Sequence, residues 1–325
     1  MRILITGGAG FIGSHLCEKY VQDKHYIKDK HTVICLDNFL SGNINNIRHL
    51  LDQPNFKLVR GDIRDKDTLK EVMHNVDVVF HMAAQVHVDR SYIEPELTYE
   101  INVMGTHNIL ELARLHDVTK IIYASSSEVY GSTQISPMTE SHPLDAPHPY
   151  GASKTAADRM CYAYAQTFGM DIRVIRTFNI YGPRQKDYGY GGVISLFVKR
   201  VLNNQSPIVY GNGLQTRDYT YIDDIVEAYD RTLKFDGKID GPINIGSGRE
   251  VTILDLAKLI IRICKSGVEP VHMVARPGEV LRLIADNSRA REILVWTPET
   301  NFVTGLKKYI EWYKTFGTEE KIVIS

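Results

Sequence analysis

The sequence predicts an α/β fold: a doubly wound parallel sheet with helices on both faces, followed by a smaller C-terminal lobe. Three observations carry this. The short apolar run Arg2 to Thr6 passes directly into a turn marked by Gly7, Gly10 and Gly13, and a helical pattern opens at Phe11. A second apolar run, Val33 to Leu36, ends in the carboxylate of Asp37. Beyond it, short apolar runs alternate with helical patterns as far as Arg176, the rhythm of strands joined by crossover helices. Such a sheet takes its ligand at the carboxyl ends of the strands.

Each element follows in order. The Gly-x-x-Gly-x-x-Gly turn lets backbone approach a pyrophosphate and aims the amides of Phe11, Ile12 and Gly13 at its charge, the Rossmann-type arrangement. Asp37 is placed to accept from both ribose hydroxyls of a dinucleotide and to repel a 2′-phosphate, which favours NAD over NADP. Asp23 to His31, rich in Lys and His, reads as a solvated loop. Phe56 to Arg60 is the third strand, and Asp62 and Ile63 beyond it are placed to cap the adenine; helix capping ahead of Asp65 is an equally open reading of Asp62. Val78 to His81 is the fourth strand, after which Ala83 and Ala84 leave room for a cofactor. Pro95 to Leu115 and Pro149 to Phe168 read as long amphipathic helices with apolar positions for both the sheet and a second copy, so a homodimer through a helix bundle is expected. Ile172 to Arg176 is the sixth strand, and Val193 to Leu202 reads as a helix over the nucleobase. The expected division is residues 1–178 for the dinucleotide-binding domain, with parts of later segments able to return to it, and 179–325 mainly for the substrate lobe.

Composition narrows the class. A formal net charge of −1 leaves no basic surplus for nucleic acid or a membrane surface, so a small-molecule substrate is expected, with local arginines for any anion. Cys17, Cys35, Cys161 and Cys264 show no Cys-x-x-Cys spacing; core thiols in a reducing compartment are expected, and no metal site. The chain runs from Met1 into glycine too soon for a signal peptide, and no apolar run approaches ~18 residues, so a soluble cytoplasmic protein is expected.

The chemistry centres on Ala124 to Lys154. Ile121 to Tyr123 reads as a strand whose end carries Ser125, Ser126, Ser127 and Glu128, while Tyr150 and Lys154 open a helix. Four residues apart, Tyr150 and Lys154 share a helix face, where the ammonium is expected to lower a phenol pKa that starts near ~10. A tyrosine so tuned can take a proton from a sugar hydroxyl that Ser126 holds. Glu128, two residues beyond Ser126, falls on the same strand face and can act as a base; capping or salt-bridging near the loop is the other reading.

These features together resemble the extended short-chain dehydrogenase/reductase family, specifically its nucleotide-sugar dehydratases and epimerases, over nearly the whole chain. The likeness rests on Gly7 to Gly13, Asp62-Ile63, Ala83-Ala84, the Ser126/Tyr150/Lys154 set, Asn179 to Arg184, Gln215 to Asp218 and Arg276 to Glu279. It implies NAD as cofactor, with Lys154 on the nicotinamide ribose and Tyr150 as acid/base. Asn179, Arg217 and Arg276 resemble the residues that hold a substrate diphosphate, with Arg282 as a possible helper and surface solvation equally open for Arg184 and Arg282. Guanidinium forks suit phosphate oxygens at two points.

Ala83 to Ser91, including His87, is similar to the matching stretch of dTDP-glucose and GDP-mannose 4,6-dehydratases, and Glu279 to Ser288 to that of legionaminic-pathway dehydratases. Dehydratases need a base for the C5 proton, which Glu128 can supply; simple 4-epimerases need none. One departure is Ser126-Ser127-Glu128 where dTDP-glucose enzymes carry Thr-Asp-Glu, so Ser127 is assigned only hydrogen bonding to the leaving hydroxyl. The resemblance thus implies an NAD-dependent nucleotide-sugar 4,6-dehydratase first, a 4-epimerase second and a UDP-glucuronate decarboxylase third. A catalytically silent NAD sensor would have no use for Tyr150 and Lys154.

Overall fold

The computed structural model describes residues 1–23, 31–187, 191–275 and 280–317; the loop expected before His31 and Arg276 of the expected phosphate-binding set lie outside them. Two compact units emerge. The first comprises Met1–Val129, His148–Arg176 and Tyr229–Pro242, and the second Tyr130–Pro147, Thr177–Ala228 and Ile243–Ser325.

The first unit is built on β1 (Arg2–Thr6), β2 (Thr32–Asp37), β3 (Phe56–Arg60), β4 (Val78–His81), β5 (Lys120–Ser126) and β6 (Ile172–Thr177). Within this unit the strands stand in the order β6-β5-β4-β1-β2-β3, with β1 parallel to β2 and β4, β2 parallel to β3, and β4 parallel to β5. The chain winds outward from β1 in one direction and then restarts at β4 in the other. The carboxyl ends of β1 and β4 therefore flank the switch point, where a ligand crevice forms.

The helices of this unit are α1 (Phe11–Gln22), α2 (Lys66–Met73), α3 (Val88–Ile93), α4 (Pro95–Tyr99), α5 (Thr106–Leu115) and α6 (Pro149–Phe168). Successive strand residues point to opposite faces, so each strand feeds two cores. Leu4, Ile34, Val79, Ile121 and Val174 pack with Leu69, Ile109, Leu110 and Ala157 from α2, α5 and α6. On the other face Phe80 meets Tyr20 of α1 and Tyr229.

The long helix expected over Pro95 to Leu115 is helical throughout, but not uniformly: Glu100–Gly105 between α4 and α5 is a π-helical turn. An added residue there turns the side chain of Asn102 inward, where it is buried and hydrogen-bonded. The helix over Pro149 to Phe168 has the limits read from sequence, with Pro149 at its first turn and Gly169 ending it at φ +68°.

In the second unit, Thr216–Tyr221 lies between a parallel neighbour, Asn179–Tyr181, and an antiparallel one, Glu250–Thr252. A separate parallel pair joins Ile208–Tyr210 to Val271–Met273. Helices Val193–Leu202, Ile253–Cys264, Ser288–Leu294 and Phe302–Phe316 lie in it, and helix Ile222–Lys234 begins in it. Among the described residues no helix is long and apolar enough to cross a membrane.

Candidate active site

At the end of β1 the turn is set by what side chains would hit. Gly7 has φ +67°, and a Cβ there would lie 2.8 Å from the backbone of Ala83. A Cβ on Gly13 would lie 2.2 Å from the Gly7 carbonyl oxygen. Gly10, the N-cap of α1, brings no side-chain cap to the helix. The backbone of this turn thus sits against Ala83 just past β4, at the switch point.

Asp37 at the end of β2 is buried and accepts from the amides of Ala9 (2.9 Å) and Phe39 (2.8 Å), one at each oxygen. Burial pushes its carboxyl up while those two amides pull it down, and burial wins. Each oxygen keeps a second lone pair for a ribose hydroxyl. Of the two readings of Asp62, helix capping falls away. Asp65, not Asp62, caps α2. The Asp62 carboxylate is held by the Arg64 side chain (2.9 and 3.0 Å) and by Asn38 (2.8 Å). Burial alone would raise its pKa, but these hydrogen bonds outweigh it and hold the carboxyl below its usual range. Ile63 is buried against Gly105, where a Cβ would stand 2.4 Å from its Cδ1.

The catalytic corner forms where β5 ends against the start of α6. The strand stops at Ser126, and Ser127–Val129 wind into a 3-10 turn. Alternation along a strand therefore does not place Glu128. The turn does, by bringing the Glu128 amide back to donate to Ser126 Oγ at 3.2 Å. Ser127 is buried beneath this turn.

Lys154 is anchored to the end of β5. Its Nζ donates to the Ala124 carbonyl at 2.7 Å and to Tyr123 Oη at 3.5 Å, and lies 5.0 Å from the centre of the Tyr123 ring. Burial lowers its pKa to about 8. Burial likewise pushes the Tyr150 phenol up to about 12, with the Ser126 hydroxyl pulling it down and the Glu128 charge pushing it up. In the chain by itself, then, desolvation outweighs any tuning of Tyr150 by the lysine.

Three features that the sequence reading passed over hold this corner. His148, the N-cap of α6, accepts from the Gly151 amide at 2.9 Å through Nδ1, and its Nε2 is 3.1 Å from Glu128 Oε2. A histidine just before a helix-opening Pro149 was the available signal. Asn102 donates to Ser153 Oγ and to the Gln85 carbonyl, both at 2.9 Å, and accepts from the Gln85 amide at 2.8 Å. It thereby ties the Ala83-Ala84-Gln85 loop to α6, and Gln85 in turn fixes the backbone of His87. Asp158, two turns along α6 from Tyr150, is fully buried and takes two hydrogen bonds of 2.9 Å from Arg176 and one of 2.8 Å from Ser125. Its spacing of four from Lys154 was visible, but its partners were not.

Within the second unit, Asn179 opens its strand and Arg217 lies on the central one, its Nη1 donating to the carbonyls of Thr216 and Val280 at 2.8 Å. Asp218 beside it is buried and gathers the amides of Ser247, Gly248 and Ala285, which fixes the strand that carries Arg217. Arg282 is exposed and pairs with Glu250.

Known proteins share this fold. The family model for GDP-mannose 4,6 dehydratase matches residues 4–309. The chain belongs to this family. The GDP-mannose 4,6 dehydratase family sits within the extended short-chain dehydrogenase/reductase group, whose members include nucleotide-sugar dehydratases and epimerases and depend on NAD. A putative UDP-glucose 4-epimerase from Methanocaldococcus jannaschii is 40% identical over 96% of this chain and 98% of its own. A dTDP-glucose 4,6-dehydratase from Streptomyces niveus is 36% identical over 97% and 93%. The crystal structure of a dTDP-glucose 4,6-dehydratase from Streptomyces venezuelae, with NAD bound, superposes with a TM-score of 0.91 at 33% identity, covering 97% of this chain and 98% of that one. The protein is thus an enzyme of the nucleotide-sugar dehydratase and epimerase family.

Proposed function

We propose that the protein is an NAD-dependent nucleotide-sugar 4,6-dehydratase that converts an NDP-hexose to an NDP-4-keto-6-deoxyhexose and water. One observation carries this reading: Glu128 stands in the same corner as Ser126 and Tyr150, its amide 3.2 Å from Ser126 Oγ and its carboxylate 3.1 Å from the ring of His148, which stacks on Tyr150. Taking up a base at that position serves C5 deprotonation and has no use in simple inversion at C4.

The residues present fit NAD. Only glycine can occupy positions 7 and 13 of the turn, the carboxylate of Asp37 has acceptor capacity for ribose, and Ile63, Ala83 and Ala84 are assigned to the cofactor pocket with them. Gly10, Phe11 and Ile12 present backbone for the pyrophosphate, Asp62 lies near the adenine end, and Lys154 serves the nicotinamide ribose. When bound, NAD would supply a reversible hydride acceptor, holding the hydride lost from C4 until it is given back at C6.

Tyr150 takes the proton of the C4 hydroxyl while Ser126 holds that oxygen. With C4 a ketone, the C5 proton is acidified and passes to Glu128. That proton leaves with the C6 hydroxyl as water, Ser127 steadying the departing oxygen. The proton kept by Tyr150 balances the one that returns to C5, so the chain ends as it began. Asn179, Arg217, Arg276 and Arg282 hold the diphosphate, with His87 at the sugar.

A C4 epimerase is the second reading. It is favoured by the 40% identity to a putative UDP-glucose 4-epimerase and by the hydrogen bond that already occupies one Glu128 oxygen. Mass spectrometry of products from a panel of nucleotide sugars decides: a product lighter by one water supports elimination, and a C4-inverted product of unchanged mass supports the epimerase. A homodimer through α4, α5 and α6 is also proposed, from the exposed Tyr99, Met104, Tyr162 and Phe168 on these helices and the turn between them. Sedimentation showing only monomer at micromolar concentration would remove it.

A further inference from the structure

We propose that His148 is a positioning residue for Glu128, holding one carboxylate oxygen so that the other is left to take the C5 proton. The proposal rests on the dehydratase reading. It begins with a fixed donor. The Gly151 amide can only donate, and it points at His148 Nδ1 from 2.9 Å, so Nδ1 presents its lone pair. The neutral ring therefore carries its hydrogen on Nε2, which donates to Glu128 Oε2 at 3.1 Å. The start of α6 thus chooses the tautomer, and the tautomer chooses the glutamate oxygen.

The ring has little freedom to do otherwise. Its side chain is only 6% exposed against 25% for Glu128. It stacks on Tyr150 with an interplanar angle of 9° and meets Tyr92 edge-on at 6.3 Å. Glu128 is held at its other end by its own amide on Ser126 Oγ. A carboxylate fixed by backbone at one end and by imidazole at the other loses little further freedom when it takes a proton, which is what a base in a preorganised site requires.

Capping and positioning use different ring nitrogens, so two substitutions separate them. In His148→Asn the side-chain oxygen can still accept from the Gly151 amide, but the side chain is too short to reach Glu128. In His148→Gln the amide nitrogen can replace Nε2–H, while the cap is lost. The readouts are single-turnover reduction of bound NAD, which reports C4 oxidation, and formation of the product lighter by one water. His148→Asn is expected to keep the first and slow the second by about tenfold to a hundredfold, the range for losing a hydrogen bond to a charged group. His148→Gln is expected to recover most of that loss.

The opposite pattern, with His148→Asn eliminating water at the wild-type rate and His148→Gln impaired in both steps, would reduce His148 to a cap and overturn the proposal. Equal loss of both steps in His148→Asn would overturn it as well. A wild-type enzyme that inverts C4 without losing water would bring down the dehydratase reading and this proposal with it, an outcome visible before any variant is made.

Discussion

The glycine turn after β1 and the corner where β5 meets α6 lie in one unit and work on opposite principles. At the turn, function depends on atoms that are missing: a methyl group on Gly13 would sit 2.2 Å from a carbonyl oxygen. At the corner, function depends on where particular atoms point: Glu128 is aimed by a 3-10 turn and an imidazole, and Lys154 by the Ala124 carbonyl. The first kind of site tolerates almost no addition. The second can be altered one contact at a time.

The largest test bears on the corner. Tyr150→Phe removes the proton acceptor and is expected to lower kcat by about a thousandfold while NAD affinity, measured by calorimetry, is retained. Full activity in this variant would dissolve the corner as the site of chemistry. Next comes the turn: Gly13→Ala drives a Cβ into backbone that cannot swing aside, with an expected loss of about 3 kcal/mol in denaturant unfolding and a matching loss of NAD affinity. Wild-type stability and affinity would show that the turn has more slack than its contacts allow.

A third test joins the two regions through His81, the last residue of β4. It is buried between Thr6 (2.8 Å) and Thr106 (3.0 Å), and burial, helped by the Lys154 charge, lowers its pKa to about 3. The unfolded chain takes up this proton near pH 6.5 and the native state does not. The stability His81 contributes is therefore whole above pH 6.5 and lost as pH falls toward about 3, at about 1.4 kcal/mol per unit, or roughly 2 kcal/mol by pH 5. Unfolding measured at pH 7 and pH 5 should show this slope in the wild type and less of it in His81→Gln. The smallest effect is expected at Asp37→Asn, where removing the charge should narrow the preference for NAD over NADP by about tenfold without stopping turnover; an unchanged ratio would take Asp37 out of cofactor selection.

The same contrast explains what could be read from sequence. A turn whose meaning is the absence of side chains is written literally as glycines, and strands such as Phe56–Arg60 and helices such as Pro149–Phe168 are written in periodicity. The corner is written only in part. Residue types gave Ser126, Glu128, Tyr150 and Lys154, but the direction of Glu128 depends on the strand ending at Ser126, and that end is a matter of hydrogen bonding rather than hydropathy. Asp158 with Arg176, and Asn102 with Gln85, are pairings between different elements, 18 and 17 residues apart, which no helical or strand periodicity encodes. The short strands of the second unit, such as Ile208–Tyr210 and Glu250–Thr252, are three residues each, below the length at which alternation can be told from chance.

The wide turn at Glu100–Gly105 works as a phase reset. A straight α-helix advances about 100° per residue, so a single stripe would have to run from Thr98 through Asn102 to Ile109 and Leu112. With the count broken at Gly105, the polar clamp on the Gln85 loop and the apolar seam on the sheet keep separate registers. Substitutions that rework the seam need not disturb the clamp, whereas deleting one residue of the wide turn would swing every later side chain by that angle and pull the two functions out of alignment together.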